Sequence, residues 1–171
     1  MKKILIFFLL FLSISCSSNL LTKKSAESIN CPPVFFASEN RNYIDGEEKP
    51  LTLDNVSFKA EINNYAFNKS CFQENDIRTF PLDILFIIDP IKPTAPNVIL
   101  PLYVALLDSD QQLLEMQYFS INGEMKNDLT TKGYLETELS NSINIMTSKN
   151  NSVLSLVIGF MLDKNKKELL N

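Results

Sequence analysis

Apolar and polar residues alternate along most of the chain. Val56, Phe58, Ala60 and Ile62 are separated by Ser57, Lys59, Glu61 and Asn63, the period-two pattern of a half-buried strand. Leu82, Ile84, Phe86 and Ile88 repeat it. Leu85 and Ile87 make the second face of that run apolar as well, which predicts a strand in the middle of a sheet. Val98 to Leu107 is a further apolar run; Pro101 near its start has no N–H for a ladder and predicts a sheet edge or a bulge. Asp108-Ser109-Asp110-Gln111 reads as a turn, Leu113 to Ile121 as the returning strand of a hairpin, and Asn122-Gly123 as the turn that ends it. Tyr134 to Leu139 alternates again, and Ile143 and Ile145 add a short strand. Val153 to Leu162 is the last strand, with Leu154, Leu156, Ile158, Phe160 and Leu162 on one face. Asp163 then caps a short helix over residues 164–170.

Seven to eight strands at regular spacing, with one terminal helical piece and no internal repeat, predict an all-β fold. The expected form is an antiparallel immunoglobulin- or fibronectin-III-like sandwich. Between the Leu82 and Val98 strands, Pro90, Pro93 and Pro96 predict an extended surface loop over residues 89–97. Proline-rich extended segments lose little entropy on binding, so this loop is the best surface candidate for partner recognition; a stiff connection between strands is the simpler reading. Gly159 inside the last strand predicts close packing of a neighbour such as Tyr103 or the C-terminal helix, with a groove floor as the alternative.

The first residues break the alternation. Lys2 and Lys3 precede an apolar run from Ile4 to Leu12, and small residues follow at Ser13 and Ser15. That is the anatomy of a secretory signal peptide, and the run is shorter than the roughly 20 apolar residues a spanning helix needs. The segment Leu12-Ser13-Ile14-Ser15-Cys16 resembles a bacterial lipobox, with Ser13 where Leu is usual and Leu12 one place earlier. Lipidation of Cys16 is therefore expected, an ordinary signal peptide cut near Ser15 being the alternative. Several acyl chains at about 0.8 kcal/mol per buried CH₂ anchor a protein without a transmembrane helix. In such lipoproteins Asp after the Cys favours the inner membrane; Ser17 stands here, which leans towards the outer one. The expected organisation is a signal peptide over 1–15, a flexible tether over 16–30 and one domain over 31–171.

Composition narrows the chemistry. With 16 Lys and Arg against 20 Asp and Glu the net charge is −4, and losing Lys2 and Lys3 takes it to −6. That opposes nucleic acid and anionic headgroups as basic-patch partners. The chain has no His, which removes Ser-His-Asp and Cys-His catalysis, His metal sites and imidazole switching. If Cys16 is lipidated, Cys31 and Cys71 remain, an even pair that in an oxidising compartment reads as a disulfide. Asp108 and Asp110 with Glu115 lack the further carboxylates and Gly of a calcium loop. Asp45-Gly46-Glu47-Glu48 reads as an exposed turn. Glu136 and Glu138, about 7 Å apart by strand rise, come without any Trp or sugar platform. No catalytic residue, cofactor or metal is expected.

Several segments resemble small envelope lipoproteins of Gram-negative, alphaproteobacterial type, to which no activity is assigned. Cys31-Pro32 matches the start of their domain, and Cys71 stands about where their second Cys does. The segment Leu100-Pro101-Leu102-Tyr103-Val104-Ala105-Leu106-Leu107-Asp108 is similar to a family stretch. The end, Gly159-Phe160-Met161-Leu162 followed by Leu169 and Asn171, is similar to their Gly-Phe-Gln-Leu motif, with Met161 for Gln. A Lys usual in the 113–119 strand is replaced by the run Glu115-Met116-Gln117. The resemblance implies an envelope lipoprotein with a β-sandwich domain and brings no functional residue with it. The function expected is a lipid-anchored, periplasm-facing, non-enzymatic binding or structural module with an envelope protein as partner. The alternatives are an assembly or pilot-type lipoprotein escorting an outer-membrane component or a lipid, and a His-free hydrolase of cell-wall or lipid substrates.

Overall fold

The computed structural model describes residues 26–46, 49–92, 96–128, 130 and 133–170. The signal-peptide segment, Cys16 and Pro93 lie outside the described residues. The strands are β1 (Glu27–Ile29), β2 (Val34–Phe36), β3 (Asn42–Asp45), β4 (Phe58–Phe67), β5 (Cys71–Glu74), β6 (Ile77–Pro90), β7 (Asn97–Leu107), β8 (Leu113–Glu124), β9 (Lys126–Asn127), β10 (Tyr134–Leu135), β11 (Thr137–Ser148) and β12 (Ser155–Phe160). One helix, α1 (Lys164–Leu170), follows. The domain is an all-β sandwich. Its strands exceed the expected seven to eight because β1, β2, β3, β5, β9 and β10 have two to four residues each, too few to show alternation.

The first sheet is organised on β6. One edge of β6 takes β5 and then β4, and its other edge takes β11 along nearly its whole length. β1 adds to β5 and β3 adds to β4. The second sheet has the order β2-β12-β7-β8, and β9 with β10 forms a small ribbon. All pairs are antiparallel except β2 with β12. Parallel neighbours need a long crossover, and here nearly the whole domain lies between the two strands.

Two prolines sit inside long strands for a shared reason. Pro81 lies within β6, where the β5 ladder has ended at Thr79 and the β4 ladder begins at Leu82. On that edge the residue needs no ladder donor, so the strand runs on from Ile77 instead of starting at Leu82. Pro101 was expected at a sheet edge or a bulge; it lies in the interior strand β7, opposite Ser120. The β12 ladder stops one residue away, at Phe160 opposite Leu102, so no N–H is required of Pro101 on that side, where its carbonyl accepts from the Met161 N–H.

Other boundaries shift too. The tether assigned to 16–30 ends earlier, because Glu27–Ile29 pairs with Cys71–Gln73. The strands expected at 134–139 and 143–145 are instead the short β10 and one continuous β11. Polar Ser140, Asn141 and Ser142 interrupt its alternation, but their backbone stays paired to β6, and Ser142 donates to Asp83. Asn122-Gly123 is strand rather than turn: Gly123 pairs with Val98, and a Cβ there would meet the Leu139 side chain at 2.5 Å. The hairpin β7–β8 turns where expected, with Asp108 Oδ1 accepting from the N–H groups of Asp110 and Gln112 and with Gln111 at φ 61°. Asp163 caps α1 by accepting from the Lys166 N–H at 2.8 Å.

The core lies between the sheets. Phe80, Leu82, Ile84, Phe86 and Ile88 of β6 meet Leu100, Leu102, Val104 and Leu106 of β7 and Leu156, Ile158 and Phe160 of β12. The rings of Phe86 and Phe160 are 5.9 Å apart and those of Tyr43 and Phe160 are 5.4 Å apart. Burying each large apolar side chain contributes about 1.5–3 kcal/mol. Cys31 and Cys71 form a disulfide with a Cα separation of 5.3 Å. It sits where the chain leaves β1 of the first sheet for β2 of the second, beside the Ile29–Cys71 pair.

Candidate functional site

The two outward faces of the sandwich differ in kind. On the first sheet, outward positions mix Lys59, Glu61, Asp83, Asp89 and Glu138 with Leu85, Ile87, Ile77 and Met146, and Asp83 accepts from Asn68 and Ser142. Those hydrogen bonds hold the Asp83 carboxyl below its ordinary value. On the second sheet the register sets one apolar row across all four strands: Phe35, Val157, Ala105 and Met116. The next row is Gly159, Tyr103 and Tyr118; Leu107 and Leu113 lie to one side, Met161, Pro101 and Ile99 to the other. Ser155, Ser120, Asn122, Asn97 and Glu124 complete the outward positions, so the one charge among them lies at the far end of β8. Tyr118 is 62% exposed and Phe35 55%, while Ala105 is sheltered by its neighbours. Clustered exposed apolar side chains rimmed by polar residues mark interaction surfaces.

Gly159 shapes the centre of this face. A Cβ built there would lie 2.7 Å from the Tyr103 hydroxyl and 2.9 Å from Cβ of Asn40, whose amide donates to the Phe160 carbonyl. The Gly gives room for Tyr103 to lie across β12, as its position in the strand implied. Burial raises the Tyr103 phenol above its ordinary value. Gly159→Ala should therefore cost about 1–2 kcal/mol by overpacking. A urea midpoint equal to that of the parent protein would contradict this.

A second cluster docks the helix. Lys166 is 7% exposed; its ammonium donates to the Tyr43 hydroxyl at 2.6 Å, pairs with Asp45 at 3.2 Å and lies 4.0 Å from the Tyr43 ring centre. Asp45 also accepts from Tyr43, Lys49 and the Gly46 N–H. Burial raises the Asp45 carboxyl, but the bonds from Lys49, Gly46 and Lys166 outweigh it and the value falls below the ordinary 3.8. Burial lowers the Lys166 ammonium against the pull of Asp45, and burial with the Asp45 charge raises the Tyr43 phenol. Leu169 and Leu170 pack on Ile44, Leu51 and Val56 beside it. The arrangement is a latch for α1. The segment 45–48, expected as an exposed turn, thus contributes a half-buried anchor in Asp45; Glu47 and Glu48 lie outside the described residues.

The sign of its pH dependence follows from the lowered Asp45 value. A carboxyl with a folded-state pKa below its unfolded one stabilises fully above about pH 4, and that contribution is lost as pH falls through the folded value. Asp45→Asn should cost on the order of 2 kcal/mol at pH 7 by leaving Lys166 without its carboxylate. The gap between the urea midpoints of the two proteins should narrow at pH 3. A gap that widens on acidification would contradict the assignment.

The other residues singled out by sequence do not converge. Pro90 ends β6 opposite Phe58, and the Pro96 carbonyl accepts from Met125. Between them the Ile91 and Lys92 N–H groups donate to the Ser57 carbonyl, and the Lys92 ammonium bonds the Asp54 carbonyl. The proline segment is tied down at both ends. Asp108 and Asp110 belong to the hairpin turn, and Glu115 accepts from Thr147 across the sandwich edge. Glu136 and Glu138 are exposed. Among the described residues no cluster of three Cys, Asp or Glu could hold a metal ion, and no helix is long and apolar enough to cross a membrane. A shallow depression of about 370 Å³ on the outward side of the first sheet is lined by Lys69, Phe72, Glu74, Ile77, Thr79 and Met146 among others.

The apolar face was the feature that sequence reading missed, although its signal was present. Residues 98–107 are apolar at both parities, and Met116 and Tyr118 alternate with Glu115 and Gln117. No protein-family model, curated protein or solved structure matches the chain.

Proposed function

We propose that the chain is a lipid-anchored lipoprotein of the bacterial cell envelope that faces the periplasm and works as a non-enzymatic binding module. It engages an envelope protein through the outward face of the second sheet. The observation that carries this reading is that face: four strands wide, apolar and aromatic at its centre, with its charge at the far end of β8 in Glu124. Interface cores have this composition, depleted in charge and enriched in Tyr, Phe and Met. The anchor rests on the lipobox-like segment ending at Cys16, and the side of the membrane on Ser17.

Two experiments test the reading separately. A clickable fatty acid fed to cells should label the chain, and Cys16→Ala should abolish the label; a variant that still takes it would overturn the anchor. Chemical crosslinking in intact cells, read by mass spectrometry, should yield protein adducts that fall at least tenfold in Met116→Lys. Adducts unchanged by that substitution would remove the face from the account.

A further inference from the structure

Building on the docking role proposed above, we infer that the partner joins the second sheet as an added strand. An extended, apolar segment of another protein, carrying a Lys or Arg, pairs with the free edge of β8.

β8 is the last strand of its sheet, twelve residues long, and pairs on one side only, with β7. Pro101 shows which of its backbone groups are open. The Pro101 carbonyl accepts from the Met161 N–H, so that residue turns away from β8. Its partner Ser120 therefore exchanges no hydrogen bond with β7 and turns its own N–H and C=O to the open side. Backbone direction alternates along a strand, so Met116, Tyr118 and Asn122 do the same. Among the described residues no protein group bonds them.

Proteins blunt exposed edges with short strands, Lys, Pro or bulges. The edge strands β1, β2 and β3 have three or four residues each. On β11, the other long edge, the Gln117 side chain takes the Met146 carbonyl at 2.6 Å, and Ser140, Ser142 and Asn144 of the same parity are polar. β8 has neither Lys nor Pro, and its register with β7 shifts only at the start, between Leu113 and Glu115. From Met116 to Asn122 the edge continues in unbroken register for roughly 20 Å. Gln117, and Glu115 accepting from Thr147, tie β8 to β11. The edge is thus held in place before any partner arrives, which lowers the ordering cost of binding.

A row of free N–H and C=O groups at strand spacing is matched along its length by another extended backbone. Side chains then select which one. On the outward side, Met116 and Tyr118 favour aromatic or β-branched residues directly opposite. On the inward side stands Glu115, half-buried and bonded to Gln117 and Thr147, and among the described residues no cation pairs with it. A Lys or Arg opposite it on the added strand would stand about 5 Å away, Cβ to Cβ. A second copy laid edge to edge is a poorer occupant, because β8 carries Glu115 and Glu124 and no Lys or Arg. Hydrocarbon has no donors or acceptors for the edge.

Random peptides displayed on phage and selected against the full chain in mild detergent test this. Enriched sequences should alternate apolar with polar residues and carry a Lys or Arg. A synthetic peptide of that sequence should slow amide hydrogen exchange at Met116, Tyr118, Ser120 and Asn122 at least tenfold. Gln117 and Phe119, which face β7, should change little. Ser120→Pro removes one open N–H without touching the β7 ladder, as does Asn122→Pro; each should weaken peptide binding at least tenfold with thermal melts close to the parent. The exchange measurement uses the parent protein, so it stands even where a Pro variant fails to fold. Glu115→Gln should weaken the basic peptide but not one whose basic residue is replaced by Ala. Selection that returns no binder, or a bound peptide that leaves those amides exchanging freely, would overturn the inference. In-cell adducts that fall in Met116→Lys but not in a folded Ser120→Pro would also overturn it, while keeping the outward face as the docking site. Adducts unchanged by both substitutions would remove that reading as well.

Discussion

Removing the Cys31–Cys71 disulfide by a double substitution to Ala is expected to lower the unfolding free energy by about 4 kcal/mol. The bond closes a 40-residue segment. In the chain-entropy account, opening it returns that loop's freedom to the unfolded chain. Its place adds a second reason. Glu27–Ile29 has three ladder pairs with β5, too few to hold a terminal strand alone, and the disulfide fixes the chain immediately beyond them. Typical domains are stable by only about 5–15 kcal/mol, so the change should be plain in urea melts, and a reductant should reproduce it in the parent protein. A shift below about 1 kcal/mol would mean the crossing between sheets is held by packing alone.

Phe160→Ala should cost about 3–5 kcal/mol. The ring is fully buried and touches Phe86 of the first sheet and Tyr43 beside the Lys166 latch. Truncation would leave a cavity that rigid strands on both sides cannot close. Tyr118→Ala on the outward face should stay within about 0.5 kcal/mol of the parent, because the ring it removes faces solvent in the monomer. The pair of variants separates the face that folds the protein from the face that is proposed to bind. Equal losses in the two would erase that distinction.

The strands that sequence reading placed well are those whose alternation is long and one-sided. Phe58 to Ile62, Leu82 to Ile88 and Leu156 to Phe160 all face the core at the expected parity. The Asp163 cap and the Asp108 turn were legible for a local reason, since each needs one side chain bonded to its own neighbouring backbone. Pro101 could not be placed correctly, and Pro81 carried no local sign that the strand continues through it. Whether a proline is tolerated depends on where the neighbouring ladder stops, and that is set by a strand distant in sequence. Ser140 to Ser142 broke the pattern of β11 because polar side chains on a paired backbone look like a loop in one dimension.

The candidate site divides in the same way. Gly159 and Tyr103 could be linked from sequence because a strand glycine implies a close neighbour, and the two stand opposite each other. Lys166 was not foreseen. A lysine in a short polar helix reads as solvated, and only the fold brings it to Tyr43 and Asp45, over a hundred residues away. The apolar face is likewise a product of register: Phe35, Val157, Ala105 and Met116 come from four separate strands and form one row only when those strands are paired.

The measurement closest to the central claim is site-specific photo-crosslinking in intact cells. A benzoylphenylalanine at Tyr118 keeps an aromatic ring in the middle of the apolar rows of the second sheet, and the same group at Glu138 reports on the outward face of the first. The account predicts a discrete protein adduct from position 118 and none above background from position 138. Equal adducts from both positions, or none from 118 while 138 reacts, would contradict it.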